Sequence, residues 1–281
     1  MKHDLPVAPH VVDLISELQN AGYEAYIVGG AIRDLLLGRK PKDFDISTSA
    51  TPEEVRAVFG RRIARIIGKR FRLVHVEYSG ELFEVSTFRR APTRTAANSK
   101  KELPENLILS DNSFGTAEED AWRRDFTVNA MAMRLPQMAL VDPCGGLADL
   151  ADGNLRTPVS AEQSFDDDPL RIMRAARFSA QLGLDVDMDV MNAMETMASR
   201  LEIVSAERIR AELERLIISP YPRRGIELMV HTGVADIVLP EVAALVSTVD
   251  EHKRHKDVYE HTLTVVEQAM DLETGPDGPV S

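Results

Sequence analysis

Strand signals vanish beyond about Pro158 of this 281-residue chain, and every later apolar pattern has the period of a helix. A chain divided in this way cannot alternate strands and helices along its whole length. It must segregate them, with a mixed α and β region first and an all-α region after it. The length suits about two domains of roughly 100–200 residues.

Within the first half, apolar spacing predicts a helix over Pro9–Asn20, a strand over Glu24–Val28 and a helix over Ala31–Leu37 closed by Gly38. Phe44–Ser47 reads as a strand. Thr51–Phe59 reads as a helix, with Thr51 as its cap, Pro52 in the first turn and Glu53 and Glu54 at its positive end. Two β-rich runs, Phe71–Tyr78 and Leu82–Phe88, flank Ser79-Gly80 in the manner of a hairpin. The polar stretch Ala91–Asp111 reads as a long loop, disordered or functional. A helix or strand follows Asp125 through Met133, then Leu140–Pro143 and turns at Gly145-Gly146 and Asp152-Gly153. Helices are predicted over Pro169–Leu182, Met188–Arg200, Ala206–Ile217, Arg223–His231 and Val258–Leu272, and the tail GPDGPVS reads as a linker.

Composition narrows the function classes. No apolar run approaches the roughly 18 residues of a membrane span, and the N-terminus lacks the form of a secretory signal. The single cysteine, Cys144, excludes an internal disulfide framework, so a reducing cytoplasm is the expected compartment. Lys and Arg number 33 against 45 Asp and Glu, a formal charge of −12 that argues against coating nucleic acid by bulk charge. A polyanion must meet a local patch. Arg61, Arg62, Arg65, Lys69, Arg70 and Arg72 supply one within an acid-free run, which reads either as an RNA contact or as a solvated basic face.

Three constellations carry chemistry. Gly29-Gly30 stands between a strand and a helix, where bare backbone N–H groups can close on a phosphate and Arg33, one turn on, can add a charged fork. Such a turn is also a common structural device. Asp43-Phe44-Asp45, read on a strand, points both carboxylates to one face. Paired acids repel, and Mg²⁺ ions would neutralise them, one activating an attacking hydroxyl and one stabilising the departing pyrophosphate. The alternative is an exposed acidic strand face. Glu84, flanked by Phe83 and Val85, supplies a third carboxylate.

Together Gly29-Gly-Ala-Ile-Arg-Asp-Leu-Leu-Leu-Gly38 and Asp43-Phe-Asp45 resemble the signature of the class II tRNA nucleotidyltransferase and bacterial poly(A) polymerase family. Further matches follow in order: Glu84–Arg89, Arg123–Ala130, Asp142-Pro with Gly145-Gly and Asp149-Leu, Asp167–Arg177, and Ser205–Ile209. The resemblance implies a head with a small mixed, mostly antiparallel sheet over 1–155, a helical neck over 156–222 that reads the base and binds RNA, and a partial helical body over 223–281. It implies that Asp43 and Asp45 bind two Mg²⁺ ions, that Glu84 is the third catalytic carboxylate, and that Gly29, Gly30 and Arg33 hold the triphosphate. Arg124, with Asp125 and Asn129, would contact ribose or phosphate; Asp125 reads equally well as an internal partner for a nearby arginine.

Residues Asp168, Arg171, Arg174 and Arg177 recur every third position, so on a helix they form one polar stripe drifting by about 60° per step. A carboxylate accepting from an exocyclic amino group and an arginine donating to a bare ring nitrogen would accept cytosine and adenine and reject uracil and guanine. Alternatively Asp166–Asp168 cap a helix carrying exposed arginines. Ser205-Ala-Glu-Arg-Ile with Glu212 resembles the family's neck motif, in which Ser205 caps and Glu207 and Arg208 make supporting ion pairs. Trp122 reads as a partly buried anchor, with RNA stacking as its alternative.

Both family branches are represented. Ile66–Val76 and Asp111–Gly115 are similar to poly(A) polymerases; Asp236–Glu273 is similar to the start of an HD-type module in some CCA-adding enzymes. His261 matches that module's first helix. His252, His255 and Asp257 lie near it, but the downstream His-Asp doublet is missing, which implies an incomplete module and a truncated chain. The expected activity is template-independent addition of nucleotides to an RNA 3′ end, CCA on tRNA from CTP and ATP, with poly(A) tailing or an idle RNA-binding relative as alternatives. No membrane or obligate protein partner is indicated.

Overall fold

The computed structural model describes residues 5–68, 72–90, 114–248 and 258–273. The predicted loop Ala91–Asp111, Lys69, Arg70, most of Asp111–Gly115, His252, His255, Asp257 and the tail lie outside the described residues. The chain forms two compact units, one of Met1–Asp152 with Arg156–Val159, the other of Gly153–Leu155 with Ser160–Ser281.

In the first unit the order is α1 (Pro9–Asn20), β1 (Ala25–Val28), α2 (Gly30–Leu36), β2 (Asp45–Thr48), α3 (Pro52–Phe59), β3 (Ala64–Ile67), β4 (Leu73–Tyr78), β5 (Glu81–Thr87), α4 (Ala117–Trp122), a 3₁₀ turn (Thr127–Asn129), β6 (Ala132–Arg134), β7 (Ala139–Val141) and α5 (Gly146–Asp152). The seven strands form one sheet in the order β3-β4-β5-β2-β1-β6-β7. Only β2 and β5 run parallel. This is the mixed, mostly antiparallel sheet expected of the first half.

Local chemistry explains the elements that frame the site. Helix α1 buries Val11, Leu14, Ile15 and Leu18, one apolar stripe at helical spacing. A capping box starts α3: Thr51 accepts from the Glu54 N–H, and the Glu54 carboxylate accepts from the Thr51 N–H at 2.7 Å. Ser79 and Gly80 both have positive φ, as a tight two-residue hairpin turn requires between β4 and β5. Alternation then divides the sheet. Ile46, Ala64, Val74, Val76, Phe83 and Val85 are buried, with α3 packed on β3, β4 and β5 and α1 on β1. On the opposite face Asp45, Arg65 and Glu84 are exposed and His75 is half-buried.

The second unit runs β8 (Asn154–Leu155), α6 (Ala161–Asp167), α7 (Leu170–Leu182), β9 (Asp185–Val186), α8 (Met188–Met197), a 3₁₀ helix (Ala198–Ile203), α9 (Ala206–Ile217), α10 (Pro222–His231), α11 (Val234–Val238), α12 (Pro240–Leu245) and α13 (Val258–Glu273). Its centre is α7, which buries Ile172, Met173, Ala175, Ala176 and Ala180 and packs against α9 and α10.

Several expectations need correction. Strands do not end at Pro158, because Asp185–Val186 pairs in parallel with Asn154–Leu155; two-residue strands are too short to leave a period in the sequence. The basic run contains β3, and Gly145-Gly146 opens α5 instead of forming only a turn. There Asp142 accepts from the N–H groups of Gly146 (2.8 Å) and Leu147 (2.9 Å), and a Cβ at Gly146 would come within 2.1 Å of the Thr127 carbonyl oxygen. Ser205 stands at the start of α9 without a capping bond to its backbone.

Candidate active site

Strand β2 begins at Asp45, so Asp43 and Phe44 precede the ladder instead of lying on it as predicted. Both carboxylates are exposed, and Phe44 is half-buried. The parallel register Ile46↔Val85, continued one residue back, sets Asp45 beside Glu84 on the same face. The Asp45 carboxyl is pushed up to about 6, first by burial among protein atoms, then by the negative charges of Asp43 and Glu84, with Arg124 pulling the other way. Asp45 is nonetheless exposed to water. The three acids therefore share one electrostatic neighbourhood and carry more negative charge than the nearby cation offsets.

On the β1 side of these acids lies the glycine turn. Gly29 has φ 73° and ψ −137°, backbone space that an L side chain enters at a cost. A Cβ there would also meet Arg124 Nη1 at 3.0 Å, and one on Gly30 would meet Arg33 Nη2 at 3.4 Å. Two guanidinium groups thus flank a bare backbone turn. Arg33 is buried and held on two sides: Nε and Nη2 donate to Asp34 Oδ1 at 2.9 and 2.7 Å, and Nη1 donates to Asn129 Oδ1 at 2.7 Å. Arg124 Nη2 donates to Asp120 Oδ2 at 3.0 Å and to Ser47 Oγ, two residues along β2 from Asp45, at 3.3 Å. Arg124 therefore links the turn to the acids.

Asp125 is buried, and its Oδ1 accepts from the Phe126 N–H at 2.8 Å and from Asn129 Nδ2 at 3.1 Å. Asp125 thus reaches Arg33 through Asn129, along the internal chain Asp125–Asn129–Arg33. Sequence reasoning missed Asp120, Asp34 and His75. Asp120, on α4, precedes Arg124, just beyond that helix, by four residues, a spacing that could have revealed the pair. Asp34 adjoins Arg33 and gave no distinct signal. His75 Nε2 lies 3.4 Å from Glu84 Oε1 across the β4–β5 ladder, a relation that only strand register creates.

Among the described residues no group of three or more His, Cys, Asp or Glu side chains is arranged to hold a metal ion by itself. Mg²⁺ characteristically takes one or two carboxylates, with substrate phosphates and water completing its shell. Asp43 and Asp45, hard oxygen donors in a crowded anionic site, fit that requirement. Cys144 offers no nucleophile, because burial, then Asp142 and Glu118, push its thiol up to about 12.

The second unit places the remaining candidates around the start of α7. Asp168 Oδ1 accepts from the Leu170 N–H at 3.2 Å, and Oδ2 accepts from Arg208 Nη2 of α9 at 2.9 Å. Arg171 Nη1 donates to Ser164 Oγ at 2.8 Å. Arg174 lies with its guanidinium carbon 5.7 Å from the Phe178 ring centroid. Arg177 is turned inward: it is buried, paired with Glu212 of α9, bonded to Gln181 Oε1 at 2.8 Å and stacked 3.8 Å from the Phe178 ring centroid. The predicted stripe is thus not one exposed surface. Two steps of about 60° carry Arg177 from the face of Arg171 into the α7–α9 contact. Glu207 is exposed and held below the usual carboxylate range by its own backbone N–H and by the Ser205 hydroxyl. His261 lies exposed on α13, and Trp122 is 40% exposed at the end of α4.

Comparison with known proteins adds independent findings. Residues 25–156 match the family model described as "Poly A polymerase head domain". Residues 183–245 match "Probable RNA and SrmB- binding site of polymerase A". Poly(A) polymerase I of Escherichia coli O6:H1 is 36% identical over 241 residues, 84% of this chain and 51% of that protein. The CCA-adding enzyme of Geobacillus thermodenitrificans is 38% identical over 230 residues, 82% of this chain and 54% of that one. Among solved structures, the Bacillus stearothermophilus CCA-adding enzyme in complex with CTP superposes with a TM-score of 0.70 at 36% identity, covering 81% of this chain and 53% of that one. This chain spans about half the length of the relatives it matches.

Proposed function

This chain belongs to the family of CCA-adding enzymes and bacterial poly(A) polymerases, and from that premise we propose that it is a template-independent RNA 3′-end nucleotidyltransferase acting in the cytoplasm. The observation that carries the proposal is the carboxylate cluster of Asp43, Asp45 and Glu84 lying beside a glycine turn flanked by Arg33 and Arg124. Among the described residues no helix is long and apolar enough to cross a membrane.

Family members typically depend on divalent metals; two Mg²⁺ ions at Asp43 and Asp45 would supply activation of the RNA 3′-hydroxyl and charge neutralisation on the pyrophosphate. Gly29 and Gly30 keep the turn free of side chains so that a triphosphate can reach backbone N–H groups. Arg33 and Arg124 present guanidinium groups there, positioned by Asp34 and Asn129 on one side and by Asp120 on the other. Asp125 orients Asn129 from beneath. The hydroxyl attacks the α-phosphorus in line, the new phosphodiester forms and pyrophosphate departs. Asp168 and Arg171 are proposed to read the amino and ring-nitrogen edge of cytosine or adenine, with Arg174 beside them. Arg177 supports that helix through Glu212. Functionally the proposed division is a catalytic head over 1–155, a neck over 156–222 and a body over 223–281.

Between the two products, addition of CCA to tRNA from CTP and ATP is the reading we favour. Its support is the Asp168–Arg171 pair, whose donor and acceptor pattern suits both cytosine and adenine. Incubation of the protein with tRNA lacking its terminus and each nucleotide separately tests it. CTP incorporation followed by a single A is the expected result; runs of A from ATP alone would show poly(A) tailing, and no incorporation would show an idle relative.

A further inference from the structure

Cross-strand register builds a row that no single stretch of sequence contains. Arg65 pairs with His75 across β3 and β4, His75 with Glu84 across β4 and β5, and Glu84 stands beside Asp45 across β5 and β2. Directly paired residues share a face, so these four side chains run in line over the open side of the sheet, from the reactive acids to its free edge strand. Neighbours on that face include Leu82, 60% exposed, and Ile67, 41% exposed. Glu77, two residues beyond His75, is also exposed.

Charge along the row changes sign. Asp45 and Glu84 are anionic, His75 engages Glu84, and Arg65 ends the row as an exposed cation. Arg61 and Arg62, just before β3, are exposed as well. None of these three arginines makes an ion pair or side-chain hydrogen bond among the described residues, whereas Arg72 of the same run is paired with Glu53. Uncommitted arginines at a sheet edge, in a chain of net charge −12, form a local exception to the prevailing sign.

Sheet order decides what the exception is for. The glycine turn with Arg33 and Arg124 lies on the β1 side of Asp45, and the arginine row lies on the β5-β4-β3 side. Nucleotidyl transfer brings two polyanions to one point, a triphosphate and an RNA end. With the triphosphate taken on one side, the other side is left for the RNA. We propose that the 3′-terminal RNA strand leaves the reactive acids across β5, β4 and β3, its phosphodiesters met by Arg65, Arg61 and Arg62 and its bases resting on Leu82 and Ile67. Three strand spacings of about 4.8 Å place Arg65 roughly 14 Å from Asp45, about four nucleotides at the ~3.4 Å rise of a stacked strand.

This inference rests on the reading of Asp43 and Asp45 as the reacting centre, and its test separates the two. Binding of a fluorescein-labelled 12-nucleotide RNA to the whole chain is followed by anisotropy at several KCl concentrations. Arg65→Ala is expected to weaken binding about three- to tenfold and to lower the slope of log affinity against log salt by about 0.7, the value for one phosphate contact on a single strand. The triple change Arg61→Ala, Arg62→Ala, Arg65→Ala weakens it further, Arg65→Lys restores most of the affinity, and CTP binding is unaffected throughout. A dinucleotide, too short to reach β3, is insensitive to all three changes. Equal RNA affinity and salt slope in the wild type and the triple variant would overturn the track, as would a matching loss of CTP binding. Arginine-dependent RNA binding in a wild-type protein that incorporates no nucleotide would instead overturn the catalytic reading and leave the track standing.

Discussion

Ionisable groups are treated in opposite ways in the two units. In the sheet-bearing unit the Asp45 carboxyl is raised to about 6, first by burial and then by the negative charges of Asp43 and Glu84. Asp168 and Arg177 of the helical unit are each matched to a partner, Asp168 with Arg208 and Arg177 with Glu212. Negative charge left uncompensated in one place is what a bound cation, as proposed, would neutralise. Pairing in the other marks a scaffold, and if Asp168 reads the base as proposed, part of its hydrogen-bonding capacity turns toward an incoming nucleotide.

Breaking the buried pair sharpens that contrast most. Replacing Glu212 by Leu strands the Arg177 guanidinium in the α7–α9 contact and is expected to cost about 3–5 kcal/mol in denaturant unfolding. Adding Arg177→Met on the same background should recover most of the loss. Asp43→Ala, which removes a repelling charge from an exposed position, should leave stability within about 0.5 kcal/mol. A destabilised Asp43 variant would erase the distinction.

Asp168 tests whether a paired residue also reads the substrate. Asp168→Ala is expected to reduce discrimination between CTP and UTP by about tenfold, in line with roughly 1–3 kcal/mol for a bidentate edge contact. Unchanged selectivity would confine Asp168 to capping α7 and pairing with Arg208.

The smallest expected effect is a pH dependence of the strained acid. The folded Asp45 holds its proton to about pH 6, against an ordinary value of 3.8. Between those values the folded state binds more protons than the unfolded state, so stability from this group falls as pH rises through about 4 to 6. In chelator, the wild type should lose stability relative to Asp45→Asn over that window. Mg²⁺ at pH 7 should remove the deficit. Parallel curves for the two proteins would mean that the Asp45 carboxyl is not raised in the folded protein.

Much of this arrangement is legible in the residues alone, for reasons that also mark where legibility stops. Helix α1 announces itself through Val11, Leu14, Ile15 and Leu18, and α3 through its Thr51–Glu54 capping box. Strand β3 is hidden, because its four residues bury only Ala64 and carry Arg65 on the open face. Helices α6, α11 and α12 have seven residues or fewer and leave little periodicity. In the site, residue types and order identify the acids and glycines. Which group positions which does not follow from order: Arg33 and Asn129 are 96 residues apart, and the Arg65–His75–Glu84–Asp45 row exists only through strand register. Arg177 shows another limit: the drift of about 60° per step is legible from spacing, but that two such steps end in a buried contact with Glu212 of α9 is not.

The most direct measurement is nucleotide incorporation by Asp43→Ala and Asp45→Ala proteins whose circular dichroism and unfolding curves match the wild type. Loss of several kcal/mol of transition-state stabilisation corresponds to on the order of 10³-fold or more in rate, so incorporation on tRNA lacking its terminus should fall below detection. Turnover within a few fold of wild type in either variant would contradict the assignment of these carboxylates as the reacting centre.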